Sequence, residues 1–395
     1  MTTTESLTAD DTYGALLERW EDYTAGKTEE QLGITPTALE QVRTPGRHRL
    51  LVLDETGQPG NNFKYNGMAW ALRRKLADDP SLRRLYIGSA GNAGAALVAA
   101  AFHHNSLSGN DRLAAQDLEV VVDTPQSLVP AKRQLLEAPN SSVHAEHPSV
   151  EAATAKAMAR AAEDERGMFV HAYDDLDAIA GQGMVAKRTL VSLLERGEQG
   201  SVDLRRQRIR LLVQRGGGSL LTGFACELRR LQERGDLGEN VELHEVRPVE
   251  SPDKYDGLNV SAPGSYAGSV LDDPRFVHGT VHVNDLDTGR AAHHMALHTG
   301  GRRFEPSGLA GVAAFKQLQT TEAEPTVCVA VLSGANYSPE AYAYFRDAPR
   351  RNQAKLLGSF ASRSLEELQN QGFDPDRHAA WQPTPHFYGR YPASR

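Results

Sequence analysis

Ile209-Arg-Leu-Leu-Val-Gln-Arg-Gly-Gly-Gly-Ser-Leu-Leu-Thr-Gly-Phe-Ala225 is the stretch from which the fold can be read. Ile209 to Val213 is a short apolar run of the kind that forms a buried strand, and Leu220 to Arg234 has helical spacing. Between them stand Gly216, Gly217, Gly218 and Ser219. A glycine turn that opens a helix offers bare backbone amides to an anion at the positive end of the helix. The run lacks the Gly-Lys-Ser/Thr ending of Mg-nucleotide loops and the Gly-x-Gly-x-x-Gly of dinucleotide folds. A smaller phosphorylated ligand remains.

The same unit recurs on either side. Leu85 to Gly88 reads as a strand, followed by the turn Gly88-Ser89-Ala90-Gly91-Asn92-Ala93-Gly94 and an Ala-rich helix from Gly94 to about His103. Val327 to Leu332 is the strongest apolar strand, and Ser333-Gly334-Ala335-Asn336 closes it. The first turn suits either an anion or the relief of a tight bend, and Ser333 suits either a ligand or a helix cap. Further strands are expected at His48–Leu53, Leu118–Val122, Val143–Ala145, Met168–His171, Val241–Val246 and Val277–Val283. Helices are expected from Met68 to Leu76, from Lys132 onward, over Val150–Asp164 and over Gly183–Arg196, and Tyr13, Leu16, Leu17 and Trp20 recur at helical spacing. Strands alternating with helices imply an α/β protein with parallel sheets covered on both faces, and a ligand at the carboxyl ends of the strands. The tail from about 370 to 395, rich in Pro, His and aromatics, is expected to pack on the body.

Composition narrows the function. The chain has 395 residues, 40 % hydrophobic and 24 % charged, with a net charge of −8. That balance is ordinary for a globular protein and argues against nucleic acid as a partner. The polar, acidic start is unlike a secretory signal, and no run of about 18 apolar residues is present, so no membrane partner and a cytoplasmic location are expected. Cys226 and Cys328 are too few for a disulfide framework, and no metal-ligand spacing is found around His144, His147 or His293-His294, so no metal is expected.

One lysine stands apart. Lys64 follows the turn Gln58-Pro59-Gly60-Asn61-Asn62-Phe63 and precedes the helix-like run Met68 to Leu76, a junction that fixes its backbone. A lysine for an aldehyde, a backbone cradle for a phosphate and a neutral hydroxyl for a ring nitrogen together suit pyridoxal 5'-phosphate. The pieces DETGQPGNNFKYNG (54–67), GSAGNAGAA (88–96), YDDLDAIAGQG (173–183), RGGGSLLTGFA (215–225), YDGLNVSAPG (255–264), FEPSGLAGVAAF (304–315) and VLSGAN (331–336) stand in the order seen in fold-type II pyridoxal-phosphate enzymes. The chain resembles that family, and within it the threonine/serine dehydratase-like branch.

The resemblance implies two three-layer α/β/α domains with the cofactor in the cleft between them. Residues 1–87 and 169–395 would form the large cofactor-binding domain and 88–168 a small substrate-carboxylate domain. Lys64 would hold the cofactor and serve as base at the substrate Cα. Phe63 would lie against the ring and Asn92 would bond its phenolic oxygen. Gly216, Gly217, Gly218, Ser219 and Leu220 would hold the phosphate, and Ser333 would face the ring nitrogen. Ser89, Ala90, Gly91, Asn92 and Ala93 would grip the substrate carboxylate. The implied reaction is α,β-elimination on a small amino-acid substrate such as threonine or serine, with β-replacement and a diaminopropionate ammonia-lyase-like activity as alternatives, and the implied assembly is a homodimer.

The chain departs from the family pattern at Asn62, Asn66, Ala93, Ser219 and Arg215. Asn62, Tyr65, Asn66 and Arg215 are therefore candidates to face an altered substrate. Ala90 replaces the serine that racemases of this branch use as a second acid, and Val246-Arg247-Pro248 lacks the carboxylate of metal-using members, which argues against both.

Overall fold

The computed structural model describes residues 7–349 apart from 22, 24–26, 90, 108–112, 115, 129, 251, 261 and 338. The tail from 370 to 395 lies outside the described residues. Ten strands are present among them: β1 (Leu39–Val42), β2 (Arg49–Asp54), β3 (Arg84–Gly88), β4 (Glu119–Pro125), β5 (Ser141–His147), β6 (Gly167–Phe169), β7 (Arg208–Gln214), β8 (Val241–Pro248), β9 (Gly279–Val283) and β10 (Thr326–Leu332). They form a six-stranded sheet in the order β1-β2-β10-β7-β8-β9 and a four-stranded sheet in the order β5-β4-β3-β6. Every pairing is parallel except the edge pair β1–β2.

The pleat explains why the strands read as unbroken apolar runs. Successive side chains point to opposite faces, and both faces are covered. Leu51, Leu53, Ile209, Leu211, Val213 and Val329 pack toward one helical layer. Leu50, Val52, Leu212, Cys328 and Ala330 pack toward the other. The first layer includes the helices Lys64–Asp78, Leu176–Glu198 and Ser219–Glu233, and the second includes Asp285–His298 and Pro306–Thr321. In the small sheet Leu85, Ile87, Val120 and Val122 join the first core through the helix Asn92–Ser106, and Tyr86 and Val121 meet Ala157 of the helix Val150–Ala162 on the other side.

Five elements differ from expectation. The helix expected from Gly183 begins at Leu176, because the Asp175 side chain caps it by accepting from the amides of Asp177 and Ala178. Its internal glycines do not break it, since they permit close packing. A Cβ at Gly183 would sit 2.1 Å from the Trp20 ring, and the Trp20 indole donates to the Ala180 carbonyl at 2.8 Å. The helix expected from Met68 begins at Lys64, held by Asn62 as described below. The strand β1 and the helices Asp285–His298 and Pro306–Thr321 were not anticipated from periodicity. Among the described residues no helix is long and apolar enough to cross a membrane.

Candidate active site

The lysine is placed by two loops knitted together. Where β2 and β10 end, the ladder continues: the Glu55 amide donates to the Leu332 carbonyl, the Phe63 amide to the Ser333 carbonyl at 2.9 Å, and the Ala335 amide to the Asn61 carbonyl at 3.0 Å. The turn between needs left-handed backbone, at Gly60 (φ 78°) and at Asn61 (φ 57°), and asparagine tolerates it better than most side chains. Asn62 then spends its side chain on the backbone, accepting the Lys64 amide at 3.0 Å and donating to the Gly60 carbonyl at 2.6 Å. The Lys64 amine donates to the Ala172 carbonyl at 3.2 Å and lies 5.8 Å from the centre of the Phe63 ring. Burial lowers its pKa to about 8, against a smaller opposite pull from Glu305.

Asn62, Tyr65, Asn66 and Arg215, the candidates to face the substrate, each have a partner within the fold. Asn62 is a cap. The Tyr65 hydroxyl donates to the Leu32 carbonyl at 2.8 Å from a fully buried position. Asn66 donates to Glu55 at 2.9 Å and accepts from Arg188 at 2.8 Å. Arg215 is paired with Glu245 at 2.7 Å. These departures from the family pattern have local structural partners.

The phosphate loop has the character read from the sequence. Gly218, the residue before the helix Ser219–Glu233, has φ 96° and supplies no side-chain cap. A Cβ at Gly216 would stand 2.2 Å from the Gly257 carbonyl oxygen, and one at Gly217 would stand 2.2 Å from the Tyr173 ring. Among the described residues the amides of Gly216, Gly217, Gly218, Ser219 and Leu220 have no backbone or side-chain acceptor. Donors of this kind at a helix start suit a phosphate. The residues present therefore fit the cofactor's most strongly charged group.

At the other turn, Gly88 lets the helix Val150–Ala162 come close, since a Cβ there would stand 2.3 Å from the Thr154 Cα. Ser89 accepts from the amides of Gly91 and Gly94 at 3.2 and 3.0 Å, so its hydroxyl shapes the turn. Ala90 lies outside the described residues. Ala93 is buried. Asn92 opens its helix and is fixed at both ends of its amide, donating to Glu305 at 2.8 Å and accepting from Asn336 at 2.9 Å. Ser333 is buried at the end of β10.

Several residues at the site were not singled out from the sequence. Glu305 is 4 % exposed, with its carboxyl pushed up by burial and drawn back chiefly by Lys132. Its motif was recognised, yet no role was attached to it. Lys132 reaches across to Asp256 at 2.6 Å with its stem against Gly91, and nothing local in the sequence signals that contact. Arg188 bonds Glu29 at 2.6 Å, Glu55 at 2.9 Å and Asn66, and so braces the loop that carries Lys64. His171 accepts from the amides of Tyr173 and Asp174 at 3.3 and 2.9 Å.

A half-buried lysine beyond the carboxyl end of β2, with an open-amide glycine turn at the carboxyl end of β7 in the same sheet, suits the fold-type II class of pyridoxal-phosphate proteins. The chain belongs to the pyridoxal-phosphate dependent enzyme family, whose model matches residues 30–334. It is 30 % identical over 312 residues to the biosynthetic L-threonine dehydratase of Burkholderia multivorans, an alignment covering 73 % of this chain and 55 % of that protein, so the chain spans about half the length of that relative. Two solved structures share the fold. Holo diaminopropionate ammonia lyase from Escherichia coli has a TM-score of 0.63 at 16 % identity, covering 87 % of this chain and 93 % of that one. The processed form of threonine deaminase isoform 2 from Solanum lycopersicum has a TM-score of 0.61 at 17 % identity, covering 87 % of this chain and 89 % of that one. The cofactor of the family is pyridoxal phosphate.

Proposed function

We propose that the chain is a pyridoxal-phosphate-dependent lyase that eliminates the β-substituent of a small amino acid such as threonine or serine. The observation that carries this reading is the Lys64 amine, held inside the cleft with its pKa lowered to about 8. The relationship to a threonine dehydratase supports it. The cofactor, when bound, supplies the electron-withdrawing ring that makes the substrate Cα–H acidic. Lys64 Nζ takes that proton, because burial leaves a usable fraction of the amine neutral near pH 7. Gly216 to Leu220 orient the cofactor through their amides. Glu305 and Asn336 fix the Asn92 amide for the phenolic oxygen. Ser333 offers a neutral hydroxyl rather than a carboxylate, which keeps the ring a modest electron sink and favours prompt departure of the β-group with its electron pair. The released enamine takes up water and hydrolyses to a 2-oxo acid and ammonia.

β-Replacement drew its support from Asn62, Asn66 and Arg215, and their side chains are occupied elsewhere, so no observation favours it over elimination. The test is to incubate the holoprotein with threonine, serine and O-substituted serines and to follow 2-oxo acid. Release is expected, with loss on the order of 10²–10⁴-fold in Lys64→Ala, together with loss of the absorbance band of the lysine-bound cofactor. Absence of oxo acid from every substrate would overturn the reading. A homodimer belongs to the same proposal, and sedimentation at a single-chain mass would remove it.

A further inference from the structure

After β6 the chain leaves the four-stranded sheet and enters the helix Leu176–Glu198. The Val170 amide still donates to the Tyr86 carbonyl at 2.8 Å. Beyond it Phe169, His171 and Tyr173 stack at alternate positions, with ring centres 5.9 and 4.7 Å apart and planes at 83° and 89°. His171 holds the bend through the amides of Tyr173 and Asp174, and Asp174 accepts from the Tyr266 amide at 3.1 Å. This short segment meets both halves of the site. The Lys64 amine donates to the Ala172 carbonyl, and the Tyr173 ring lies over Gly217, where a Cβ would stand 2.2 Å from it. A phenylalanine ring would fill that space as well, so packing does not require the hydroxyl. The ring is half-buried, and the hydroxyl has no hydrogen-bond partner among the described residues. Every other polar group of the bend named above is paired. Burial, with the Asp174 and Glu151 carboxylates nearby, pushes the Tyr173 pKa up, so the hydroxyl stays protonated and is free to donate.

We propose that the Tyr173 hydroxyl is the acid that protonates the departing β-oxygen of a hydroxyl-bearing substrate. The inference rests on the elimination reading above and adds a residue to it. Hydroxide leaves poorly because it must carry off a full negative charge, and a proton delivered as the bond breaks removes that charge. The Cβ–O bond breaks with its electron pair on oxygen. The phenol O–H gives its proton to that oxygen, and water departs. Lys64 has taken the Cα proton, so the site gains one proton and releases one. Return of the proton from the Lys64 ammonium to the phenolate, directly or through solvent, restores both groups. A phenol is a far stronger acid than the water that forms, so the transfer runs downhill even with the phenol pKa raised. The Lys64 amine and Tyr173 are joined through the single carbonyl of Ala172, which suits two groups serving adjacent substrate carbons.

The test compares leaving groups. Serine and β-chloroalanine give the same 2-oxo acid, but chloride departs without a proton. Tyr173→Phe keeps the ring over Gly217 and removes only the hydroxyl. It should lower kcat for serine on the order of 10²-fold, while β-chloroalanine falls far less. The absorbance band of the lysine-bound cofactor, cofactor retention in dialysis and the thermal midpoint should stay those of the unaltered chain. A second readout needs no variant and decides the matter where Tyr173→Phe fails to fold: heavy water should slow release from serine more than release from β-chloroalanine. Equal slowing of both substrates by Tyr173→Phe, slowing of neither, or an equal solvent effect on both would overturn the proposal and leave elimination standing. Loss of the cofactor from a folded Tyr173→Phe would assign the hydroxyl to cofactor binding and overturn it as well. Oxo acid from neither substrate in the unaltered holoprotein would sink the elimination reading and this inference with it.

Discussion

The glycine loop and the cavity beside Glu305 are built in different ways. The phosphate side, Gly216 to Leu220, is made of backbone, and its donors come from five consecutive residues. The cavity beside Glu305 is made of side chains from distant segments: Lys132 follows β4, Asp256 follows β8, Glu305 precedes the helix Pro306–Thr321, and Asn336 follows β10. A backbone cradle needs only glycines and a helix start, which are local properties. A charge cluster needs four segments to converge, so no short stretch announces it. The first kind of site is suited to a cofactor shared across a family, and the second to what distinguishes one member.

The contrast extends to the supports and can be broken by substitution. Arg188→Met should have the largest effect on stability. It strands Glu55, which is fully buried, and Glu29, with a cost of about 3–5 kcal/mol that a denaturant midpoint would register. A change below 1 kcal/mol would show that the brace behind Lys64 is dispensable. Gly216→Ala comes next, since its Cβ meets the Gly257 carbonyl oxygen at 2.2 Å. Overpacking of about 1–3 kcal/mol is expected, appearing mainly as weaker cofactor retention in equilibrium dialysis. Unchanged retention would mean that the cradle tolerates a side chain and is not read by backbone approach.

The amine itself can be titrated. A free lysine is neutral only near pH 10.5, whereas burial brings Lys64 to about 8. The neutral form attacks an aldehyde, so cofactor uptake by the cofactor-free chain should climb with pH and level off above about 8. Below that, each pH unit should cost about ten-fold. A rise that continues to pH 10 would show an amine open to water. The smallest effect is expected for Asn62→Ala, which removes the cap on Lys64 and should lower stability by about 1 kcal/mol, with the ranking of substrates preserved. A changed ranking would return Asn62 to the substrate.

Much of this was legible before the fold was known. Unbroken apolar runs such as Val327–Leu332 marked two-faced burial, and the glycine turns marked the carboxyl ends of the strands. The start of the helix Leu176–Glu198 was missed because Gly181 and Gly183 look like breakers, whereas they make room for Trp70 and Trp20. The partners of the polar residues at 62, 65, 66 and 215, candidates to face the substrate, could not be read, because a sequence shows that a polar group is present but not where it finds its partner.

The sequence by itself determined the alternation of strands and helices, the lysine and the backbone cradle. Each depends on the periodicity or backbone freedom of neighbouring residues. Only the tertiary structure decided that Asn62 caps, that Arg188 braces the lysine loop, and that Lys132, Asp256 and Glu305 meet around one cavity. Those facts depend on distances between residues more than a hundred positions apart in places, and burial then changes how strongly each charge is felt.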